Sequence, residues 1–234
     1  MSNPYFRFKK FTVWHDRCAM PVGTDGVLLG AWADLGHAGR ILDVGTGSGL
    51  IALMAAQRNE SALVTGIDVD EGAVLQAAGN VAASPFADRV EILHGDVRSF
   101  RPSVLFDAVV CNPPFYSEAV LPPDAGRCVA RNTASLSFSE LVGSVACLLA
   151  EGGLFSVIVP TQAESDFVSL CLLSRLYVQR VCRVKTTVRK EPKRVMITFS
   201  KSMCSSPSSE VLVLTDAASR RSEGYARLTA DFYL

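Results

Sequence analysis

The sequence is poor in the residue patterns that build metal centres and disulfide frameworks. Its 234 residues include only three histidines, and its seven cysteines are odd in number, widely spaced and without a C-x-x-C pair. Structural zinc sites usually draw on such pairs, and disulfide-rich secreted proteins usually have an even number of cysteines. We therefore expect no metal site and no disulfide framework, and we expect a reduced, cytoplasmic setting.

Long apolar runs and an excess of either charge are also lacking. No stretch approaches the roughly 18 consecutive apolar residues of a membrane span, and the start, MSNPYFRFKKF, has no apolar core of signal-peptide length. We expect no membrane association. The 23 basic and 23 acidic residues cancel. A polyanionic partner would therefore be recognised by local clusters of charge rather than by net charge.

What the sequence does contain is organised around RILDVGTGSGL, the stretch from Arg40 to Leu50. A short apolar run ends in Asp43, three glycines alternate with other residues, and an Ala- and Leu-rich helical segment follows. Glycine permits positive φ and lets a ligand lie against the backbone, while the helix start offers unpaired N–H groups. The next apolar run ends in Asp68, about 20 residues beyond the turn, where a carboxylate can hold a ribose hydroxyl pair. The pattern predicts a nucleoside-binding strand, turn, helix and strand.

The glycine spacing favours a cofactor with a cationic tail over a dinucleotide. The spacing is G-x-G-x-G, whereas the dinucleotide fingerprint has its third glycine one place later. Asp43 precedes the first glycine by two residues and would repel a pyrophosphate. DVGTGSG resembles the first motif of the class I S-adenosylmethionine-dependent methyltransferases, whose loop wraps the methionine part of the cofactor. The expected cofactor contacts are Asp43, Gly45, Thr46, Gly47, Gly49, Asp68 and Val69, and Asn112, considered below, is a further candidate. The alternative is a glycine-rich turn without a ligand.

Two flanking segments are further candidates for cofactor binding. In PVGTDGVLLGAWA, Gly23 to Asp25 are predicted to form a turn and helix cap, and Thr24 could close over the methionine end of the cofactor. A strand over Val90–His94 is followed by Asp96, which could accept a hydrogen bond from an adenine amino group, with Val97 beside it. Gly-Asp is equally common in ordinary turns, so both interpretations of Asp96 stay open.

The second informative string follows the predicted fourth strand, Leu105 to Cys111, and reads Asn112-Pro113-Pro114-Phe115. Two prolines end the strand and fix the direction of the Asn112 side chain and the Pro113 carbonyl. These two acceptors could bind both hydrogens of an aromatic amine and turn its lone pair towards a methyl donor, while Phe115 stacks on the base. The alternative is a strand-ending turn with a buried aromatic.

D/N-P-P-F/Y is the motif of amino methyltransferases that act on adenine N6, cytosine N4 or protein glutamine N5. Together with it, the opening KKFTVWHDRCAMPVGTDGVLLGAWA and the closing TADFYL resemble the bacterial tRNA1(Val) adenine-37 N6-methyltransferase family over nearly the whole chain. The resemblance implies methyl transfer from S-adenosylmethionine to adenine N6 in tRNA. It also implies a Rossmann-like α/β fold with a seven-stranded, mostly parallel sheet, an antiparallel terminal hairpin and helices on both faces.

Two clusters of basic residues are candidates for RNA contact. Near the start, Arg7, Lys9 and Lys10 alternate with aromatics, although Phe6, Phe8 and Thr12 at even spacing equally fit a half-buried strand. The second cluster lies in the terminal hairpin, where Glu191 is the only opposing acid, and comprises Arg183, Lys185, Arg189, Lys190, Lys193 and Arg194. Solvated loops are commonly basic too.

We expect one domain over residues 1–234, working as a monomer. Residues 36–201 form its core, 1–35 an extension over the cofactor and RNA side, and 202–234 a C-terminal appendage with an edge strand over Val211 to Leu214. Residues 116–132 lack periodicity and are expected to form a mobile lid over the target base.

Two other functions fit the same motifs. A protein glutamine N5-methyltransferase also presents an amide to an N-P-P turn, but the basic hairpin and the lack of an additional N-terminal helical recognition domain argue against it. The second alternative function is that of a catalytically inactive RNA-binding module of the same fold. The intact Asp43, Gly45, Gly47, Asp68 and Asn112 argue against that alternative.

Overall fold

The computed structural model describes residues 3–16, 21–114 and 136–234. The strands in these ranges are β1 (Tyr5–Arg7), β2 (Thr12–Trp14), β3 (Arg40–Val44), β4 (Leu63–Asp68), β5 (Val90–His94), β6 (Phe106–Cys111), β7 (Leu149–Pro160), β8 (Tyr177–Thr187), β9 (Arg194–Ser200) and β10 (Ser208–Thr215). The α-helices are α1 (Thr24–Trp32), α2 (Leu50–Arg58), α3 (Glu71–Ala82), α4 (Phe138–Leu148), α5 (Glu164–Leu173) and α6 (Glu223–Leu228). A short 3-10 helix, Thr161–Ala163, precedes α5.

Eight strands form one sheet in the order β10-β8-β9-β7-β6-β3-β4-β5. Strand β9 is antiparallel to β7 and β8, and the other pairs are parallel. The seven-stranded sheet with its antiparallel hairpin is therefore confirmed. The expected edge strand is longer than predicted, and it adds an eighth strand by pairing in parallel with β8.

Because β9 alone runs in the opposite direction, the other seven strands of this sheet end at the same edge, which we call the carboxyl edge. The loops after β3, β4, β5 and β6 leave the sheet there, and so do those after β8 and β10. Ligands of open parallel sheets bind at this edge. The opposite edge is called the amino edge below.

Helices cover both faces of the sheet, as predicted. Helices α1 and α2 pack on one face, where Leu29, Leu53 and Phe8 belong to a single buried cluster. Helices α4 and α5 pack on the other face, around Leu141 and Phe167. Since each large apolar side chain contributes roughly 1.5–3 kcal/mol when removed from water, these two layers hold the sheet between them.

The first helix begins within the predicted turn and cap, Gly23 to Asp25, but Asp25 itself does not cap it. The residue at the N-cap is Gly23, no side chain makes a capping hydrogen bond, and Asp25 lies within the first turn. Its carboxylate instead accepts from the Arg194 Nε atom of β9 at 2.8 Å. A capping role for Asp25 was wrong because no local sequence pattern indicates this long-range ion pair, which engages the carboxylate from another strand.

The N-terminal segment forms a hairpin rather than one half-buried strand. Strands β1 and β2 are antiparallel, with Phe6 opposite Val13. The predicted apolar face is also wrong, because Phe6 is 37% exposed whereas Phe8 and Phe11, which flank the turn, are buried. The rings of Phe8 and Phe11 stack with centroids 4.8 Å apart. Both belong to the buried cluster that contains α1 and α2, and this burial anchors the hairpin on the domain.

The described residues contain neither a membrane-spanning helix nor a metal-binding cluster. None of their helices combines the length and apolar character that a bilayer crossing requires. In the same part of the chain, no three histidine, cysteine, aspartate or glutamate side chains come together in a way that could hold a metal ion.

Candidate active site

The glycine turn and the Asn-Pro-Pro string leave the sheet side by side. Strands β3 and β6 are parallel neighbours, and Val44 at the end of one is paired with Cys111 at the end of the other. The next residues are Gly45 and Asn112, so the two loops begin about one strand spacing, roughly 5 Å, apart. The strand order reverses between β3 and β6, which is the switch point where α/β sheets form their ligand crevice.

All three glycines of the turn have left-handed backbone conformations. Gly45, Gly47 and Gly49 have φ of 67°, 55° and 79°. A Cβ atom on Gly49 would also lie 3.2 Å from the Cβ of Ala77 in α3. Side chains are disfavoured in this region of φ, so the sequence needs glycine here for the turn to form.

Asp43 is held inside the turn and is only 1% exposed. Its Oδ2 atom accepts from the Thr46 hydroxyl at 2.7 Å and from the Ala52 backbone N–H at 3.1 Å. Its Oδ1 atom is buried and has no partner among the described residues. Burial raises the pKa of this carboxyl to about 7, although the two hydrogen bonds act in the opposite direction. Thr46 therefore has a role in orienting Asp43.

Asp68, at the end of β4, faces the same turn. One oxygen accepts from the Gly47 N–H at 2.8 Å and the other from the Asp70 N–H at 3.0 Å. A carboxylate has about four acceptor positions, so two remain for hydroxyl groups. Val69 follows with 54% exposure and offers an apolar surface beside them. The structure thus brings together Asp43, the glycine turn, Asp68 and Val69.

Asp96 is engaged by a residue that sequence reasoning missed. Its carboxylate accepts from the Arg98 Nε atom at 2.9 Å, and the Arg98 backbone N–H donates to the same group at 2.9 Å. Hydrogen bonding by Arg98 holds the pKa of Asp96 below its usual range. Arg98 also pairs with Glu140 of α4 at 3.0 Å, while Val97 is buried. An ion pair two residues apart has no distinctive sequence signal, and contact of Asp96 with an adenine stays a prediction.

Asn112 and Pro113 lie near the N-terminal ends of α1 and α2. Pro113 is buried, and the Oδ1 atom of Asn112 is buried with no hydrogen-bond partner in the ranges that the structure describes. A Cβ atom on Gly26 of α1 would lie 3.9 Å from Asn112 Nδ2 and 3.1 Å from Leu50 at the start of α2. The start of α1, which includes the exposed Thr24, therefore borders the same site. Pro114 is exposed, whereas Phe115 and the predicted lid over 116–132 lie outside the described residues.

The site thus contains two buried acceptor oxygens without a hydrogen-bond partner among the described residues. Leaving a buried acceptor unsatisfied costs about 1–3 kcal/mol, so two such oxygens in one crevice favour a ligand with N–H groups. Asp43 Oδ1 suits an ammonium or a hydroxyl donor, and Asn112 Oδ1 suits an amine. A carboxylate at the end of the neighbouring strand, Asp68, adds acceptors for a diol. This set can hold a nucleoside with an amino-acid tail beside an amine substrate.

The basic hairpin reaches the carboxyl edge, because β8 ends there and β9 begins there. Its turn exposes Arg189, Lys190 and Lys193, and none of the three has a salt-bridge partner within the described ranges. Two other residues of the cluster are engaged within the protein. Arg183 pairs with Glu164, and Arg194 pairs with Asp25 as described above. Lys185 is half-buried on β8.

Two of the N-terminal cations, Lys9 and Lys10, lie away from this site. Lys9 Nζ donates to the carbonyl oxygen of Ala230 at 2.6 Å. With Lys10, it lines a cleft of about 440 Å³ that also contains Gln57 and Arg58 from the C-terminal end of α2. That helix starts at the carboxyl edge and runs away from it, so the cleft lies towards the amino edge. Arg7 is exposed on β1.

Comparison with known proteins gives both a family and a fold. Residues 22–166 match the family described as the methyltransferase small domain. A relative from Phocaeicola vulgatus named tRNA1(Val) (adenine(37)-N6)-methyltransferase is 47% identical over 236 aligned positions, covering 100% of this chain and 99% of the relative.

Two solved structures share the fold. A protein described as a predicted O-methyltransferase from Agrobacterium tumefaciens has a TM-score of 0.66 at 21% identity and covers 89% of this chain and 96% of its own. A TehB-like SAM-dependent methyltransferase from Corynebacterium glutamicum has a TM-score of 0.51 at 17% identity, with 79% and 90% covered. At these identities the likeness concerns the fold alone.

Proposed function

The chain belongs to the tRNA1(Val) (adenine(37)-N6)-methyltransferase family and carries its methyltransferase small domain, and we propose that it methylates adenine N6 in tRNA with S-adenosylmethionine as donor. By family membership the target is adenine 37 of tRNA1(Val). The observation that carries the proposal is that Asp43 Oδ1 and Asn112 Oδ1, buried at the ends of adjacent strands, have no hydrogen-bond partner within the described part of the chain.

The residues of the crevice fit the proposed cofactor. Asp43 and the N–H groups of the glycine turn would hold its amino-acid tail, and Thr24 lies at the helix start that borders the same region. Asp68 would hold the ribose hydroxyls, with Val69, Asp96 and Val97 around the adenine. When bound, the cofactor supplies a methyl group on a positively charged sulfur, which makes that methyl strongly electrophilic.

Asn112 and Pro113 would prepare the adenine amine for attack. The lone pair of an exocyclic amine is delocalised into the ring, so the nitrogen is a weak nucleophile. Two fixed acceptors, the Asn112 side-chain oxygen and the Pro113 carbonyl, can bind its two hydrogens and favour a pyramidal nitrogen. Because rigid positioning removes much of the entropic barrier, the prolines that fix these acceptors contribute to the rate. Phe115 would stack on the flipped base.

The exposed cations of the hairpin turn would contact the phosphates of the tRNA. They lie at the carboxyl edge, where the crevice opens, whereas Lys9 and Lys10 lie towards the amino edge. We therefore assign Arg189, Lys190 and Lys193 the larger contribution to tRNA affinity. Arg194 is assigned a supporting part, because its ion pair with Asp25 ties the hairpin to the start of α1.

The proposal is tested by incubating the protein with labelled S-adenosylmethionine and total tRNA from a strain that lacks the gene, followed by nucleoside analysis. Label in N6-methyladenosine is the expected result. Label in protein alone would support glutamine methylation and overturn the proposal. Calorimetric titration with the cofactor separates an enzyme from an inactive module, because a module without cofactor binding gives no heat.

A further inference from the structure

A second basic turn lies next to the hairpin turn at the carboxyl edge. Strand β10 is parallel to β8, and its last residue, Thr215, is paired with Thr187 at the end of β8. The loops that follow, residues 188–193 and 216–221, therefore leave the sheet side by side, about 5 Å apart at their bases. The second loop ends in Arg220 and Arg221, which sequence reasoning left unassigned.

The two loops together carry five basic residues and only two acidic ones. One of the acids, Asp216, is engaged within its own loop. Its carboxylate accepts from the backbone N–H groups of Ala218 and Arg220, both at 2.9 Å, and from the Arg220 side chain at 3.2 Å. The negative charge of Asp216 is therefore partly compensated by donors within its own loop. The Arg220 side chain nevertheless remains 79% exposed and keeps donors available for another acceptor.

Arg221 is held in place by aromatic rings. Its guanidinium lies 4.5 Å from the ring centroid of Tyr233 and 5.7 Å from that of Tyr225, and its backbone forms a bridge with Thr215. Tyr233 in turn stacks on Phe8 of the N-terminal hairpin. A side chain that is already ordered loses less conformational freedom when it binds an anion.

We infer that Arg220 and Arg221 extend the hairpin cations into one phosphate-binding surface for the backbone of the tRNA substrate, an inference that rests on the proposed function. Counting strand spacings from β6 to β10 places this surface roughly 15 to 20 Å from Asn112 along the edge of the sheet. At that distance it contacts phosphates that flank the target base and leaves the crevice free. Phosphate contacts of this kind position the nucleic acid and make its affinity sensitive to salt.

The experiment measures the affinity of the full chain for tRNA as a function of potassium chloride concentration, by fluorescence anisotropy. Arg220→Gln and Arg221→Gln are compared with the wild type. We expect each variant to reduce the slope of log Kd against log salt concentration by about one, the change for one lost phosphate contact. Arg220→Lys, which keeps the charge, is expected to restore most of the slope.

Arg175→Gln is the matched control. Arg175 is also exposed, but it follows α5 and precedes β8, which places it at the amino edge. We expect its salt slope to equal that of the wild type. Thermal unfolding of each variant identifies any loss of fold, which concerns Arg221 more because of its two tyrosine contacts. Arg220→Gln then still tests the inference.

The possible outcomes distinguish a failure of the inferred phosphate-binding surface from a failure of the proposed function. If the wild type methylates tRNA but Arg220→Gln and Arg221→Gln leave the salt slope unchanged, the inferred phosphate-binding surface is overturned. The proposed function then stays intact. A wild type that binds tRNA with the expected slopes but produces no N6-methyladenosine overturns the proposed function alone. A wild type that binds no tRNA overturns both.

Discussion

A Cβ atom on Gly26 would lie 3.9 Å from the Nδ2 atom of Asn112, so the first turn of α1 packs directly against the strand end that carries the proposed amine acceptor. The same Cβ would lie 3.1 Å from Leu50, at the start of the helix that follows the glycine turn. Three segments far apart in sequence therefore meet at one point. This contact connects the glycine turn to the strand end that carries the proposed amine acceptor.

Gly26→Val is expected to slow methyl transfer as well as to lower stability. The larger side chain presses on Asn112 and Leu50, and overpacking of this kind typically costs about 1–3 kcal/mol. We expect kcat to fall by at least about tenfold, since displacement of a reacting group by about 1 Å is costly. Gly79→Val in α3 is the control, because a Cβ there meets nothing within 4 Å. Equal loss of kcat in both variants would contradict the role of this contact.

Gly49→Ala is expected to destabilise the protein and weaken cofactor binding. Gly49 has φ of 79°, and its Cβ would lie 3.2 Å from Ala77. The left-handed conformation alone costs a residue with a side chain about 1–2 kcal/mol. Urea unfolding measures this loss, and Gly36→Ala is the control because open space surrounds that position. A variant as stable as the wild type would show that the turn tolerates side chains.

The affinity for S-adenosylmethionine is expected to rise with pH between about 6 and 8. The pKa of Asp43 is raised to about 7 by burial, so the carboxyl is protonated over part of this range, whereas the proposed ammonium contact needs the carboxylate. Binding then releases a proton, which calorimetry in buffers of different ionisation enthalpy detects. Asp43→Asn should bind weakly and without this pH dependence. Binding by the wild type that does not change with pH would contradict the contact.

The same shift has a consequence for stability without the cofactor. The pKa of Asp43 is higher in the folded state than its ordinary value of 3.8, so the folded state binds the proton more tightly than the unfolded state. The contribution of Asp43 to stability is therefore fully present below about pH 4 and is lost as pH rises through about 7. The difference in unfolding free energy between wild type and Asp43→Asn, measured from pH 5 to 8, should follow this trend.

Much of the fold could be predicted because the signals are local. Strand β5 has the predicted bounds, and the glycines marked a turn that does require positive φ. The N-terminal hairpin was missed because its buried rings pack on residues distant in sequence, Phe8 on Tyr233 and Phe11 on Phe86. No period within residues 5–14 reveals a partner so distant in sequence.

The site could be predicted only where a motif marks it. Asp43, the glycines, Asp68 and Asn112 lie at neighbouring strand ends, as the motifs indicated. Arg98 was given no role, and Arg194 was assigned to RNA contact. Arg98 pairs with Asp96 and Glu140, and Arg194 pairs with Asp25. No motif in the sequence marks these ion pairs. A role for Arg220 and Arg221 could be inferred only from the structure, because the parallel pairing of β10 with β8 places their turn at the carboxyl edge.

The most direct test of the central claim compares single-turnover methyl transfer to tRNA by the wild type, Asn112→Ala and Asn112→Asp, with the Kd for cofactor and tRNA measured for each. Removing the acceptor should slow the reaction about a hundredfold or more and change either Kd by less than about threefold. Asn112→Asp keeps acceptor oxygens and should retain more activity than Asn112→Ala. Rate and cofactor affinity that fall together in Asn112→Ala, or a rate that does not fall, would contradict the account.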